Sequence, residues 1–180
     1  MNKEYYLQIL KKYKVSQNII NHSLGVYRVA EILSDKFIDK GYIINKEIIL
    51  QAAILHDIDK EITKGEHQLH GLRSAEILRA EGIDNKVADI IKSHPADKIF
   101  SRGFEKISLE AKILYYSDKI FEQYLCSVEE RILKWEEKHK LDKKLIVRMI
   151  AAVKNLERNL LNTINITFED IKREFSKVSL

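Results

Sequence analysis

Residues 52–62 read AAILHDIDKEI. An apolar run, Ala52 to Leu55, delivers an imidazole and a carboxylate side by side at His56 and Asp57. A carboxylate is costly to bury unless it is paired or bound to a metal, and imidazole with carboxylate is a good donor set for hydrolytic metals. Working outward, His22, His70, His94 and Asp118 each have apolar neighbours in a helix-like context. The order His…His-Asp…His…His…Asp describes a metal site assembled from several helices. His22, His56, Asp57 and Asp118 are suited to enclose one ion. Asp57 is also placed to bridge to a second, served by His70 and His94. Two ions so held activate a water and stabilise the attacking and leaving oxygens, which suits phosphoester or phosphoanhydride hydrolysis.

The rest of the chain fits an ordinary globular protein. It has 180 residues, 45% hydrophobic and 32% charged, enough for one domain with a substantial core. One Pro and six Gly among abundant Leu, Ile, Lys, Glu and Ala predict an all-α fold. Cys126 is the lone cysteine, so no intrachain disulfide forms, which fits a reducing, cytoplasmic setting. The first residues, MNKEYYLQILKKYK, are charged throughout and lack an apolar signal-peptide centre. No segment approaches the ~20 apolar residues of a membrane span, so no membrane partner is expected. The net charge of +4 suits an anionic substrate. Its Lys and Arg are interleaved with Asp and Glu, which argues against a nucleic-acid polymer as partner.

Apolar periodicity and capping residues predict the helices. A short one covers 3–13. Ser16 caps a long one running to about Lys40, with His22 in its first turns. Asn45 caps the next, from Lys46 to about Ile58, and a polar loop from Asp59 to Gln68 follows. Further helices run from about His70 to Glu81 and from the Asp84 cap to about His94. Residues 95–107 read as a loop, and Ser108 caps the helix that carries Asp118. One or two helices fill 128–161, and a short one starts at Thr167. The chain is one domain, with a core over 16–126 and a C-terminal helical extension over 127–180. The extension has no chemical motif and is expected to cover the core or form a homodimer. Trp135 reads as a packing anchor.

The pieces NHSLGVYRVAEIL around His22, AAILHDIDK, HGLRSAEIL from His70, IIKSHP at His94 and ILYYSDKI at Asp118 resemble the HD superfamily of metal-dependent phosphohydrolases. The resemblance runs from about Asn18 to Phe121. It implies a helical HD bundle and a phosphate-ester or anhydride substrate, most naturally a nucleotide or a related phosphorylated small molecule. The pieces at His70 and His94 are those of members with a two-metal site. Divalent ions, two per chain, are therefore implied, drawn from Fe, Mn, Mg, Ni, Co or Zn. The chain is most similar to small HDIG-type proteins, one branch of which hydrolyses symmetrical dinucleoside tetraphosphates. Two features depart from that branch. Asp59 replaces the HDIG glycine, and KIFEQYL follows Asp118 where an acidic-proline-basic stretch is usual. General HD hydrolase chemistry is the expectation, not that one substrate.

The roles follow residue by residue. Metal ligands are His22, His56, Asp57, His70, His94 and Asp118. His56, Asp57 and Lys60 form the catalytic set, and Lys60, His70 and His94 face the substrate. Lys60 either holds substrate phosphate, as the matching lysine of the family often does, or is a solvated lysine at a helix end. Asp59 reads either as an acid that orients a histidine ligand or as a helix-terminal surface residue, with the surface preferred. Lys92, Lys98, Arg102 and Lys119 each could contact an anionic substrate, though most read as solvated; His67 either reaches substrate or, as preferred, is solvated in its loop; His139 is part of a charged surface run. Tyr115 and Tyr116 read as core packing. Two other readings use the same ligands: a metal- and nucleotide-binding regulatory module without turnover, and a di-iron HD oxygenase.

Overall fold

The structure, a computed structural model, describes residues 2–64, 66–94, 104–139 and 142–177, and not the side chains of residues 67, 138 and 139. Lys98 and Arg102 lie outside the described residues, as do the side chains of His67 and His139. Nine α-helices run through the described part: α1 (Lys3–Lys12), α2 (Gln17–Asp39), α3 (Lys46–Leu55), α4 (Leu72–Ala80), α5 (Asn85–Ser93), α6 (Leu109–Lys119), α7 (Val128–His139), α8 (Lys143–Ile164) and α9 (Phe168–Ser176). The one extended pairing among the described residues is an isolated bridge between Phe121 and Leu125. The chain is all-α, as expected.

The helix at the centre is α3. Asn45 caps it by accepting the Ile48 N–H, and all of Ile48–Leu55 except Gln51 is buried. A helix apolar around its whole circumference belongs inside a bundle. Helices α1, α2, α5 and α6 pack around it, so its C-terminal end opens into the middle of the molecule. His56 and Asp57 stand at that end. Helix α2 supplies His22 from its second turn and buries Val26, Val29, Ala30, Leu33 and Phe37. Ser16 occupies its cap position without a side-chain cap bond. Caps at Asp84, Ser108 and Thr167 all make their hydrogen bonds, Thr167 in a reciprocal capping box with Asp170.

The start of α4 differs from the sequence reading. His70 lies outside α4, which starts at Leu72. Gly71 before it has φ +76, a left-handed conformation that suits glycine and turns the chain sharply. Residues 128–161 resolve into two helices, separated at the Asp142 cap of α8. Tyr115 and Tyr116 are fully buried, as expected of packing residues. Trp135 packs against the core. Helix α8 lies against α6 and α7, and α9 against α2. No helix among the described residues is long and apolar enough to cross a membrane.

Gly25, one turn after His22, lets the end of α6 approach α2. A Cβ there would fall 1.9 Å from Phe121 Cε1, and Phe121 is 1% exposed. Overpacking a filled core costs about 1–3 kcal/mol. Gly25→Ala is expected to lower stability by about 2 kcal/mol, read as a drop in the urea midpoint at unchanged m-value.

Candidate metal centre

Four imidazoles converge here from α2, the end of α3, the turn before α4 and the end of α5. Each has its Nδ1 tied outward. His22 Nδ1 donates to the Glu122 carbonyl (2.8 Å), His56 Nδ1 to Ala53 (2.9 Å) and His94 Nδ1 to Ile91 (2.6 Å). His70 Nδ1 pairs with Asp59 Oδ1 at 2.7 Å. A carbonyl only accepts, so Nδ1 carries the proton and the neutral ring aims its Nε2 lone pair inward. This is the arrangement that orients metal-binding histidines.

The inward nitrogens meet carboxylates. Asp57 Oδ2 stands 3.2 Å from His56 Nε2 and 3.7 Å from His22 Nε2. Its other oxygen, Oδ1, faces His70 Nε2 at 3.4 Å and His94 Nε2 at 4.0 Å. Two groups able to hold an ion result, His22–His56–Asp57 and Asp57–His70–His94, and they share the Asp57 carboxylate. Asp118 stands against the first, with Oδ1 3.1 Å from His22 Nε2 and 3.8 Å from His56 Nε2. Metal–ligand bonds of about 2.1 Å place neighbouring donors roughly 3–3.5 Å apart, close to these spacings. His56 Nε2 is wholly buried and has no hydrogen-bond partner. A lone pair so placed, facing carboxylates, calls for a cation between them, so these donors fit divalent metal.

In the absence of metal, burial lowers His56 but Asp57 and Asp118 outweigh it and raise it; the two carboxylates and His94 stand in their metal-binding forms. Burial pushes the Asp57 carboxyl up, but His56, Lys60 and His22 outweigh it and hold it well below the usual carboxylate range. Asp118 behaves alike: burial raises it, and Lys119, His22 and His56 bring it well below. Burial, with His70 and His56 alongside, holds His94 well below its ordinary value and keeps it neutral. The carboxylates are ionised and His94 is a free base, the forms that bind metal.

Two lysines lie on this acidic centre. Lys60 Nζ is 2.5 Å from Asp57 Oδ2, so it sits at the site, and Lys119 pairs with Asp118 Oδ2. Lys119 is therefore not the solvated residue the sequence suggested; its side chain is 15% exposed and folds back along α6. Lys92 is exposed, as expected.

Asp59 is the larger correction. It is fully buried, not on the surface. Besides His70, it accepts the main-chain N–H groups of Gly71 (2.8 Å) and Ser74 (3.0 Å). Burial raises its carboxyl, and these bonds from His70, Gly71 and Ser74 bring it below the ordinary value. Asp59 thus ties Gly71 and the first turn of α4 to the chain just past α3 and sets the His70 ring. The Glu122 carbonyl does the same for His22, and main-chain atoms leave no mark in sequence. The signal for Asp59 was its place two residues after Asp57 in an otherwise apolar stretch.

The chain matches the HD domain family model over residues 19–122. It belongs to the HD-domain family. It is 32% identical over 149 residues to an uncharacterized protein of Methanocaldococcus jannaschii, covering 77% of this chain and 86% of that one. It is 26% identical over 179 residues to a protein of Picrophilus torridus named tRNA (cytidine(56)-2'-O)-methyltransferase, covering 93% of this chain and 49% of the relative. A protein of the same name from Thermoplasma volcanium is 31% identical over 127 residues, 64% of this chain and 35% of the relative. The chain therefore spans half or less of the relatives that bear the methyltransferase name. No solved structure matches.

Two outcomes follow. Asp59→Asn should weaken metal binding about 10–100-fold at the His70–His94 group and less at the other, read by competitive chelator titration. For His94, the unfolded chain takes up a proton near pH 6.5 that the folded chain refuses. The unfolded state then binds more protons, so stability falls as pH drops below about 6.5. His56 acts in the opposite sense, because burial lowers it but Asp57 and Asp118 outweigh burial and raise it. The His94 share is therefore read as a difference, and His94→Gln should raise the urea midpoint of the metal-free protein at pH 5 relative to pH 7 when compared with wild type.

Proposed function

We propose that this protein is a metal-dependent phosphohydrolase that cleaves a phosphoester or phosphoanhydride of a nucleotide or a related phosphorylated small molecule. The observation that carries the reading is the pair of ligand groups sharing Asp57, with a lysine laid on each of the two carboxylates. Membership of the HD-domain family supports it. Bound there, divalent ions such as Fe, Mn, Mg, Ni, Co or Zn supply Lewis acidity and a water activated near neutral pH.

This chain's residues hold and orient. In this reading His22, His56, Asp57 and Asp118 keep one ion, and Asp57, His70 and His94 a second. The bonds from each Nδ1 fix the imidazoles so that the donor set need not reorganise during reaction. Lys60 neutralises the phosphate oxygens on which charge grows as the bond breaks. His70, half-buried while His56 and His94 are fully inside, lies on the side by which substrate enters. Residues 16–126 form the hydrolytic unit and 127–180 cover it. The free, buried thiol of Cys126 is in keeping with a reducing cytoplasm.

One observation favours a second reading of the substrate. Two relatives carry the name of a tRNA-modifying enzyme. Under that reading the phosphoester belongs to an RNA end.

The test is phosphate release from a panel of nucleotides and of short RNAs with terminal or cyclic phosphates, under each candidate metal. Wild-type protein should turn over at least one nucleotide, and His56→Ala with Asp57→Ala should lose at least about a thousandfold in rate. Turnover of the RNAs alone would favour the second reading. No turnover with any metal, or full activity in the double variant, would overturn the phosphohydrolase assignment.

A further inference from the structure

Lys119 follows Asp118 directly on α6. Adjacent residues on a helix point about 100° apart and do not face each other. The Lys119 side chain nevertheless turns back, and its ammonium pairs with Asp118 Oδ2. A second contact holds it there. Nζ stands over the ring of Tyr115, one turn earlier, 4.8 Å from the centroid. Tyr115 is fully buried and meets Phe104 edge to face, with ring centroids 5.3 Å apart. A cation over an aromatic face is attracted by the ring, more strongly away from water.

The two oxygens of Asp118 are thereby divided. Oδ1 faces His22 Nε2 at 3.1 Å and His56 Nε2 at 3.8 Å, and Oδ2 is taken by Lys119. The other lysine at the site is placed differently. Lys60 lies on Asp57 Oδ2, the oxygen that also faces His56 and His22, and its side chain is 41% exposed against 15% for Lys119. Lys60 is open to a substrate, whereas Lys119 is committed to Asp118 and the Tyr115 ring.

A carboxylate binds a divalent ion through one oxygen or through two. A second oxygen that has no partner of its own turns to the ion, and there it takes a position that water or substrate needs. We infer that Lys119 is a positioning residue that restricts Asp118 to ligation through Oδ1, and so keeps a position on the ion open. The inference rests on the metal-binding part of the phosphohydrolase reading and extends it. It gives the two lysines separate tasks: Lys60 meets the substrate, and Lys119 sets how a ligand binds.

The experiment loads the full chain with Co2+, whose visible absorption reports ligand number and geometry and weakens as ligands are added. Wild type, Lys119→Met and Lys119→Arg are compared, with cobalt per chain and Tm recorded for each. Lys119→Met should keep its cobalt and its Tm but lose visible absorption per cobalt. Lys119→Arg, which keeps the cation, should retain the wild-type spectrum. On any substrate that the phosphate-release panel yields, Lys119→Met should also be about 10–100-fold slower. An unchanged spectrum in Lys119→Met at full cobalt content would overturn the inference and leave the metal centre standing. The same spectral change in both variants would overturn it too, because the cation would then be immaterial. Cobalt and Tm lost together in both would make Lys119 a structural prop of α6 instead. Wild type that binds no cobalt would sink the metal centre and the inference with it. No turnover in the substrate panel, beside the expected spectra, would sink the phosphohydrolase reading alone.

Discussion

The structure depends on one carboxylate. Asp57 is 1% exposed and stands just past the C-terminal end of α3. A negative group at that end of a helix opposes the helix dipole, and burial adds to the cost. Such a residue persists only where surrounding cations hold it. Here Lys60 lies on Oδ2, and the imidazoles that face its two oxygens form with it the two groups able to hold an ion. Helix α3, buried over Ile48–Leu55 except at Gln51 and packed by α1, α2, α5 and α6, is what delivers it to the interior.

The surrounding chain serves to hold ligands still. The carbonyls of Ala53, Ile91 and Glu122 and the carboxylate of Asp59 each hold one imidazole by Nδ1. Three of the four holders are main-chain atoms, two of them within the last turn of the ligand's own helix. The site is therefore as rigid as α3, α5 and the α6 terminus. Only His70 depends on a longer excursion, and Asp59 secures that excursion by binding His70, Gly71 and Ser74 at once. Near Glu122, α6 and α2 meet closely because residue 25 has no side chain to intrude on Phe121.

The six residues that converge on the site were legible in the sequence because each carries its own local signal, a His or Asp flanked by apolar residues at helical spacing. Asn45, Asp84 and Ser108 were legible as caps because capping is settled within one turn. What escaped was non-local or made by the backbone. Asp59 looked like a surface residue because its partners lie 11 to 15 positions downstream. Lys119 looked solvated because nothing in the string says that a lysine folds back onto its neighbour. His70 was assigned to a helix that Gly71 cuts short.

The central claim is that one carboxylate serves both ligand groups. Elemental analysis of metal per chain tests it most directly, on wild type, Asp57→Asn and His70→Ala after the same reconstitution. If Asp57 is shared, His70→Ala loses metal from one group alone, whereas Asp57→Asn loses it from both. Asp57→Asn that retains as much metal as His70→Ala would contradict the shared carboxylate and leave two independent sites.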